Sequence, residues 1–407
     1  DLDASDTTDL TLPSLTSVSG KLCAIDSTNL TLPSLTSVGL ELNAGDSTGL
    51  TLPALESCRN LYAGGSTDLT LPALERVEGE LYARYTTGLT LPLLTSVGGF
   101  LNASKSANLT LPLLERVSGY LYARGTTDLT LPALKSVGDG LRAENSTGLT
   151  LPSLTSVDGE LDARHTAALT LPSLEKCGFL YASGTTDLTL PALESVSGSI
   201  RAEASTALTL PALKSCGTLD VRYSANLTLP SLEKCDTLYT RKSTGLTLPS
   251  LEKCGTLYAR YTTGLTLPAL TSVSDFLDAV NSTGLTLPAL EKCGTLFAEN
   301  STGLTLPSLT SVGRTLDAVN STGLSLPSLT SCRSLDARDS TGLTLPALEK
   351  CGKLDASKST GLSIPAAIAS KHSIQHECLA SVPEQSHVDK ALSELQNDSE
   401  SLNQGIK

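Results

Sequence analysis

The phrase Leu-Thr-Leu-Pro, or a close variant of it, returns along this chain with prolines at 13, 33, 53, 72, 92, 112, 132, 152, 172, 191, 211, 230, 249, 268, 288, 307, 327, 346 and 365, every interval being nineteen or twenty residues. Nothing else constrains the fold as strongly. A chain of 407 residues would otherwise divide into several globular domains, whereas a fixed short period means one small unit stacked on copies of itself.

The interval length follows a rule. Five residues after each proline before the last stands Val or Cys. Repeats with Val (Val18, Val38, Val77, Val97) run twenty residues to the next proline, and those with Cys58, Cys177, Cys216, Cys235, Cys254, Cys293, Cys332 and Cys351 run nineteen. The missing residue lies just beyond, as VGGFL from Val97 to Leu101 shows against CGTL from Cys254 to Leu257. Two repeat types have been shuffled and duplicated.

Within a repeat the apolar residues alternate, as at Leu30, Leu32 and Leu35 and again at Leu42 and Ala44, the period-two signature of short strands. Pro in every repeat, frequent Gly, Ser and Thr, and apolar runs too short for a helix exclude an α-helical array. The expected fold is all-β, a single elongated β-solenoid of about nineteen rungs over residues 1–365. At a strand spacing of about 4.8 Å the rod would be roughly 90 Å long. Residues 366–407 lose the repeat, and VDKALSELQNDSESLNQ there reads as a short amphipathic helix capping the last rung.

Six residues before each proline stands Ser or Thr (Ser27, Ser47, Thr86, Ser106, Thr166, Ser224, Ser340 and equivalents). A small hydroxyl there is expected to bond turn backbone. Catalytic serines do not come in ladders, and with no paired acid and base in a unique setting, no phosphate loop and no nucleophile motif, the chain reads as a non-enzyme without a cofactor.

The frame Leu22-x-Ala24-x-x-Ser27 followed by Leu30-x-Leu32-Pro33-x-Leu35 resembles a shortened leucine-rich repeat, with Ser27 where that family usually keeps Asn, Cys or Thr. The phrase LPSLTSV is also similar to repeats of receptor L-domains and of bacterial and phage-encoded solenoids. The resemblance covers nearly all of residues 1–365, although the repeat is short for the family and Ala replaces the second strand leucine. It implies a binding or scaffold protein that recognises partners on the LxA strand.

That strand carries the most informative variation. Its outward position holds Tyr62, Tyr82, Tyr122, Arg142, Tyr181, Arg201, Tyr239 and Tyr258 among others, and the two positions after the Ala add Arg84, Tyr85, Arg124, Arg222, Tyr223, Arg241, Arg260 and Tyr261. Nine of ten tyrosines and nine of fourteen arginines fall in these three columns. Tyr and Arg anchor interfaces through contact area and planar hydrogen bonding, so this face is the expected site for a protein or glycan ligand. The competing reading is that such residues simply pair across exposed strands.

Two further columns compete. Asp278, Asp317, Asp336 and Asp355 form an acidic ladder that raises cation binding, although no loop supplies further oxygens. Thr31, Thr51, Thr70, Thr90, Thr110, Thr130, Thr150, Thr170 and their equivalents form an outward threonine ladder. It resembles the surface of ice-binding solenoids and makes antifreeze activity the alternative function, against the plainer reading of Thr as a good exposed strand residue.

Eight of ten cysteines sit in the Val column, where a free thiol acts as a small hydrophobe, and no CxxC pair supports zinc. His372 and His376 lie near Glu377 and Cys378, too few ligands to name a metal site. The net charge of −13 argues against nucleic acid while leaving room for a local basic patch, and no apolar run is long enough to insert in a membrane. The chain starts inside a repeat at Asp1, which predicts a removed or missing upstream segment, or an open edge for self-association into an oligomer or longer fibre. The expected location is extracellular, at a cell surface or on a virion appendage, with the unpaired core cysteines leaving the cytoplasm as the alternative.

Overall fold

The computed structural model, which describes residues 1–375 and 378–379, is a parallel β-solenoid of about 18 turns. Its 25 short strands form one sheet in which every pairing is parallel and joins neighbouring repeats. Leu22 pairs with Leu42, Leu42 with Leu61 and Leu61 with Leu81, so each apolar column stands on its own copy. The columns of Leu, Val or Cys, and Ala are almost entirely buried along the rod, giving one continuous core instead of separate domain cores.

Each turn of the solenoid closes through two local devices. The segment Leu-Pro-x-Leu is a β-turn, in which the Leu35 amide donates to the Leu32 carbonyl (3.3 Å) and Pro33 supplies the fixed φ that the first central position favours. The segment Ala-x-x-Ser or Thr is the second. Ser47 donates both its amide (3.4 Å) and its hydroxyl (2.7 Å) to the Ala44 carbonyl, and the residue between, Asp46, is left-handed at φ 53°. The hydroxyl column is thus scaffold: Ser27, Thr86, Ser106 and Thr166 donate to the preceding alanine carbonyl in the same way.

The difference in repeat length is absorbed at one place. Where Cys repeats adjoin, as at Cys216, Cys235 and Cys254, the strands pair without a slip. Where a Val repeat meets a Cys repeat, as at Val157 and Cys177, the register shifts before pairing resumes at Glu160 and Phe179. The extra residue is therefore a β-bulge, which kinks the strand locally and leaves the Leu columns aligned. In several unbulged strands the buried thiol finds an acceptor: Cys254 and Cys293 each donate to the carbonyl two residues on (3.0 Å), a bond Val could not make.

All ten cysteines are free thiols. Burial pushes the thiols of Cys58, Cys177 and Cys293 up to about 12, which keeps them protonated and unreactive.

One short helix, Ala366–Lys371, follows the last repeat. Its Ile368 joins the core, and His372 Nε2 and Lys371 Nζ lie 3.2 and 3.3 Å from the Cys351 carbonyl. These contacts cover the final layer. His376, Glu377 and the segment expected to form an amphipathic helix lie outside the described residues, and no described helix is long and apolar enough to cross a membrane.

Candidate recognition face

Because side chains alternate along a strand, the residue before the strand leucine and the one after it share the outer face. The structure uses both positions to build aromatic ladders. In the first, Tyr62 stacks on Tyr82 (ring centroids 5.0 Å), Tyr82 meets Phe100 edge-on (4.7 Å), Phe100 meets Tyr122 (6.0 Å) and Tyr122 stacks on Tyr120 (5.5 Å). Arg142 closes it, 5.1 Å over the Tyr120 ring and bonded to Glu160 at 2.7 Å. A second ladder runs Tyr239, Tyr258, Phe276 and Phe297, with centroids 4.5, 5.2 and 6.2 Å apart. These rings are half-buried, and each contact adds about 0.5–1.5 kcal/mol beyond its area. The strand tyrosines therefore hold neighbouring layers together. Phe100, Tyr120 and Phe276 stand in the column before the leucine, outside the three columns singled out from the sequence, although the same alternation points to them.

The cations divide into two groups. Arg222 forks onto Asp220 and also reaches Glu203, Arg260 bonds Asp278, and Arg142 is held by Glu160. Arg84, Arg124, Arg201 and Arg241 make no ion pair among the described residues. Arg201 lies 5.6 Å over the Tyr181 ring and Arg241 lies 5.1 Å over Tyr261.

The Asp and Asn residues of the outward column have a backbone task. Asn43, Asp162, Asp220, Asp278, Asp317, Asp336 and Asp355 each accept the amide two residues on, at 3.1 to 3.3 Å, the Asx turn that opens the corner. Asp336 is further held by Arg338, and Asp355 by the Ser357 hydroxyl. Backbone and side-chain hydrogen bonds from Ser357 hold the Asp355 carboxyl below its ordinary range. Among the described residues no group of three or more His, Cys, Asp or Glu is placed to hold a metal ion.

The most exposed aromatic residues of this face lie at the corner. The second residue after each buried Ala is left-handed in every repeat, as at Asp6, Asp26, Gly65, Asn145 and Asp339. Asp, Asn and Gly suit that conformation, whereas a bulky residue there is an outlier. Tyr85 (φ 61°), Tyr223 (59°) and Tyr261 (56°) nevertheless occupy it, with about half of each residue exposed (49%, 52% and 45%). Cations gather on them: Arg84 lies 4.5 Å and Lys105 5.4 Å over the Tyr85 ring, and Lys242 lies 5.9 Å over Tyr223. The hydrogen bond from Lys105 pulls the Tyr85 hydroxyl below its usual pKa.

The threonines lie on another side. Thr31, Thr51, Thr70, Thr90 and Thr110 bridge repeat to repeat, as do Thr130, Thr150 and Thr170. A second ladder three residues earlier, Thr8, Thr28, Thr48, Thr67 and Thr87, escaped the sequence reading. The two ladders are separated by a left-handed residue such as Asn29 or Gly49, at which the chain bends. Several hydroxyls of the first ladder turn towards their own chain, Thr51 approaching the Gly49 carbonyl at 3.4 Å.

Fold and face together define a parallel β-solenoid repeat protein with a variable outer strand. Searches of protein-family models, curated proteins and solved structures return no match to the chain.

Proposed function

We propose that the protein is a non-enzymatic recognition rod, engaging a surface protein or glycan through the corner of its LxA strand in the middle repeats. The observation that carries this reading is the placement of Tyr85, Tyr223 and Tyr261 in left-handed positions with their rings in solvent. Each costs about 1–2 kcal/mol of backbone strain relative to a residue suited to the corner. Strain kept at exposed aromatics, where most other repeats use Asp, Asn or Gly, is accounted for by contact with something outside the chain. The resemblance to leucine-rich repeats supports the same face, since recognition in that family uses the equivalent strand.

The test is a glycan and cell-surface binding screen of the intact chain beside the triple variant Tyr85→Asn, Tyr223→Asn, Tyr261→Asn. Asn suits the corner, so the variant should fold with equal or higher stability and lose binding. Full binding by the variant would remove the reading, and no binding by either chain would leave a rigid spacer.

A second reading rests on the doubled threonine ladder, whose repeat-to-repeat regularity favours ice binding. Thermal hysteresis, lost when Thr150 and Thr170 are replaced by Tyr and indifferent to the corner tyrosines, would be its signature.

A further inference from the structure

Three consecutive repeats expose Arg84, Lys105 and Arg124, and none of the three meets a carboxylate among the described residues. In a chain of net charge −13 they make a local positive patch. Arg84 and Arg124 occupy the same column two layers apart, about 9.6 Å at a spacing of about 4.8 Å per layer, so their charges run in line with the rod axis. The patch lines a groove of about 560 Å³ that also contains Tyr122 and Glu144.

Glu144 is the unusual member. Its side chain is only 14% exposed and its nearest cation is Arg164 at 3.8 Å. One carboxylate oxygen, Oε2, is buried without a hydrogen-bond partner. Burial pushes its carboxyl up, Asp162 adds to this, and Arg124 and Arg164 oppose it. A buried acceptor without a donor is a place where a donor from a ligand would be favoured.

The geometry points to a binding site for an acidic oligosaccharide laid along the rod over Arg84, Lys105 and Arg124, with a sugar hydroxyl donating to the Glu144 carboxylate as it turns into the groove that it lines. The inference rests on the recognition reading above and gives it a ligand class. Three exposed cations that meet no carboxylate call for anionic groups, although Arg84 and Lys105 also touch Tyr85, and the orphan oxygen calls for a hydroxyl. Inorganic phosphate supplies only the first of these. A carboxylated and a sulfated sugar each supply both.

Titration calorimetry of the full chain with tetragalacturonate, with a heparin-derived tetrasaccharide and with methyl-esterified tetragalacturonate separates the sources. Saturable binding of either acidic sugar, and none of the ester, is expected. Arg124→Gln and Lys105→Gln should each weaken it about tenfold, the loss typical of one charge-assisted hydrogen bond. Glu144→Ala should weaken sugar binding and leave inorganic pyrophosphate binding unchanged. Three results would overturn the site: no binding of either acidic sugar, equal binding by Arg124→Gln, or an equally tight single-stranded DNA oligonucleotide with Glu144→Ala silent. Acidic-sugar binding that fails while tyrosine-dependent binding in the screen persists removes this site alone. Sugar binding unaffected by replacing Tyr223 and Tyr261, which lie outside the groove, while the screen shows no tyrosine dependence removes the corner reading and keeps the site.

Discussion

Between Tyr85 and Tyr261 the left-handed corner carries Tyr, Lys, His, Ala, Gly or a single Asn, whereas from Asn281 to Asp339 it carries only Asn and Asp. The backbone does not distinguish the two stretches, since φ at every non-glycine corner in both lies between 52° and 61°. The core differs a little, the middle stretch carrying Ile200 in a Leu column and Val221 and Thr240 in the Ala column, all fully buried. A scaffold that imposes one conformation on every layer leaves the corner residue free to vary only at the expense of strain, and the middle repeats carry that strain. The repeats from Asn281 to Asp339 keep only residues suited to the corner, and Lys358 (φ 59°) ends that series in the last repeat.

The largest effect is expected where the stretches agree. Leu121→Ala and Leu316→Ala remove fully buried side chains from equivalent positions, and each should lower stability by about 2–5 kcal/mol in denaturant titrations. A clear difference between them would mean that the two cores are not equivalent. Asp220 and Asp317 come next. Both cap the corner, but Asp220 is buried and forked by Arg222, whereas Asp317 lies beside Glu299 and pushes that carboxyl up through a side-chain hydrogen bond. Asp220→Ala should cost about 2 kcal/mol, as expected for hydrogen bonds to a charged group, and Asp317→Ala distinctly less. The smallest effect is the most direct test. Tyr223→Asn should raise stability by about 1 kcal/mol, and the reverse graft Asn300→Tyr should lower it by a similar amount. A neutral Asn300→Tyr would show that the corner tolerates aromatic residues and that the middle stretch is unstrained.

The period of the prolines and the alternation of Leu30, Leu32 and Leu35 made the solenoid legible, because a parallel stack needs only that apolar positions recur in register. The hydroxyl column was legible for the same reason, its chemistry being local to Ala-x-x-Ser. Tyr82 and Tyr122 were correctly placed on the outer face, yet their burial depends on Phe100, about one repeat away from each, and on Tyr120, two residues before Tyr122 in the same strand. Asp278 and its relatives looked like a cation ladder because the sequence does not show the amide waiting two residues on. The corner strain was hidden for a different reason: a column mixing Asp, Gly, Asn and Tyr reads as ordinary surface variation until φ is known. Sequence columns identify faces, and only geometry separates residues that serve the stack from those that serve a partner.

The bulge after each valine has a consequence at the level of inheritance. Because it takes up one residue within the strand, a long repeat and a short repeat keep the same Leu columns aligned with either neighbour. Misaligned recombination between copies in the coding sequence can then add or delete whole layers, the cost at a Val–Cys join being one local register shift that leaves the Leu columns in place. The reach of the molecule changes in steps of about 4.8 Å, one layer at a time, while the chemistry written on each layer travels with it as an independent cassette.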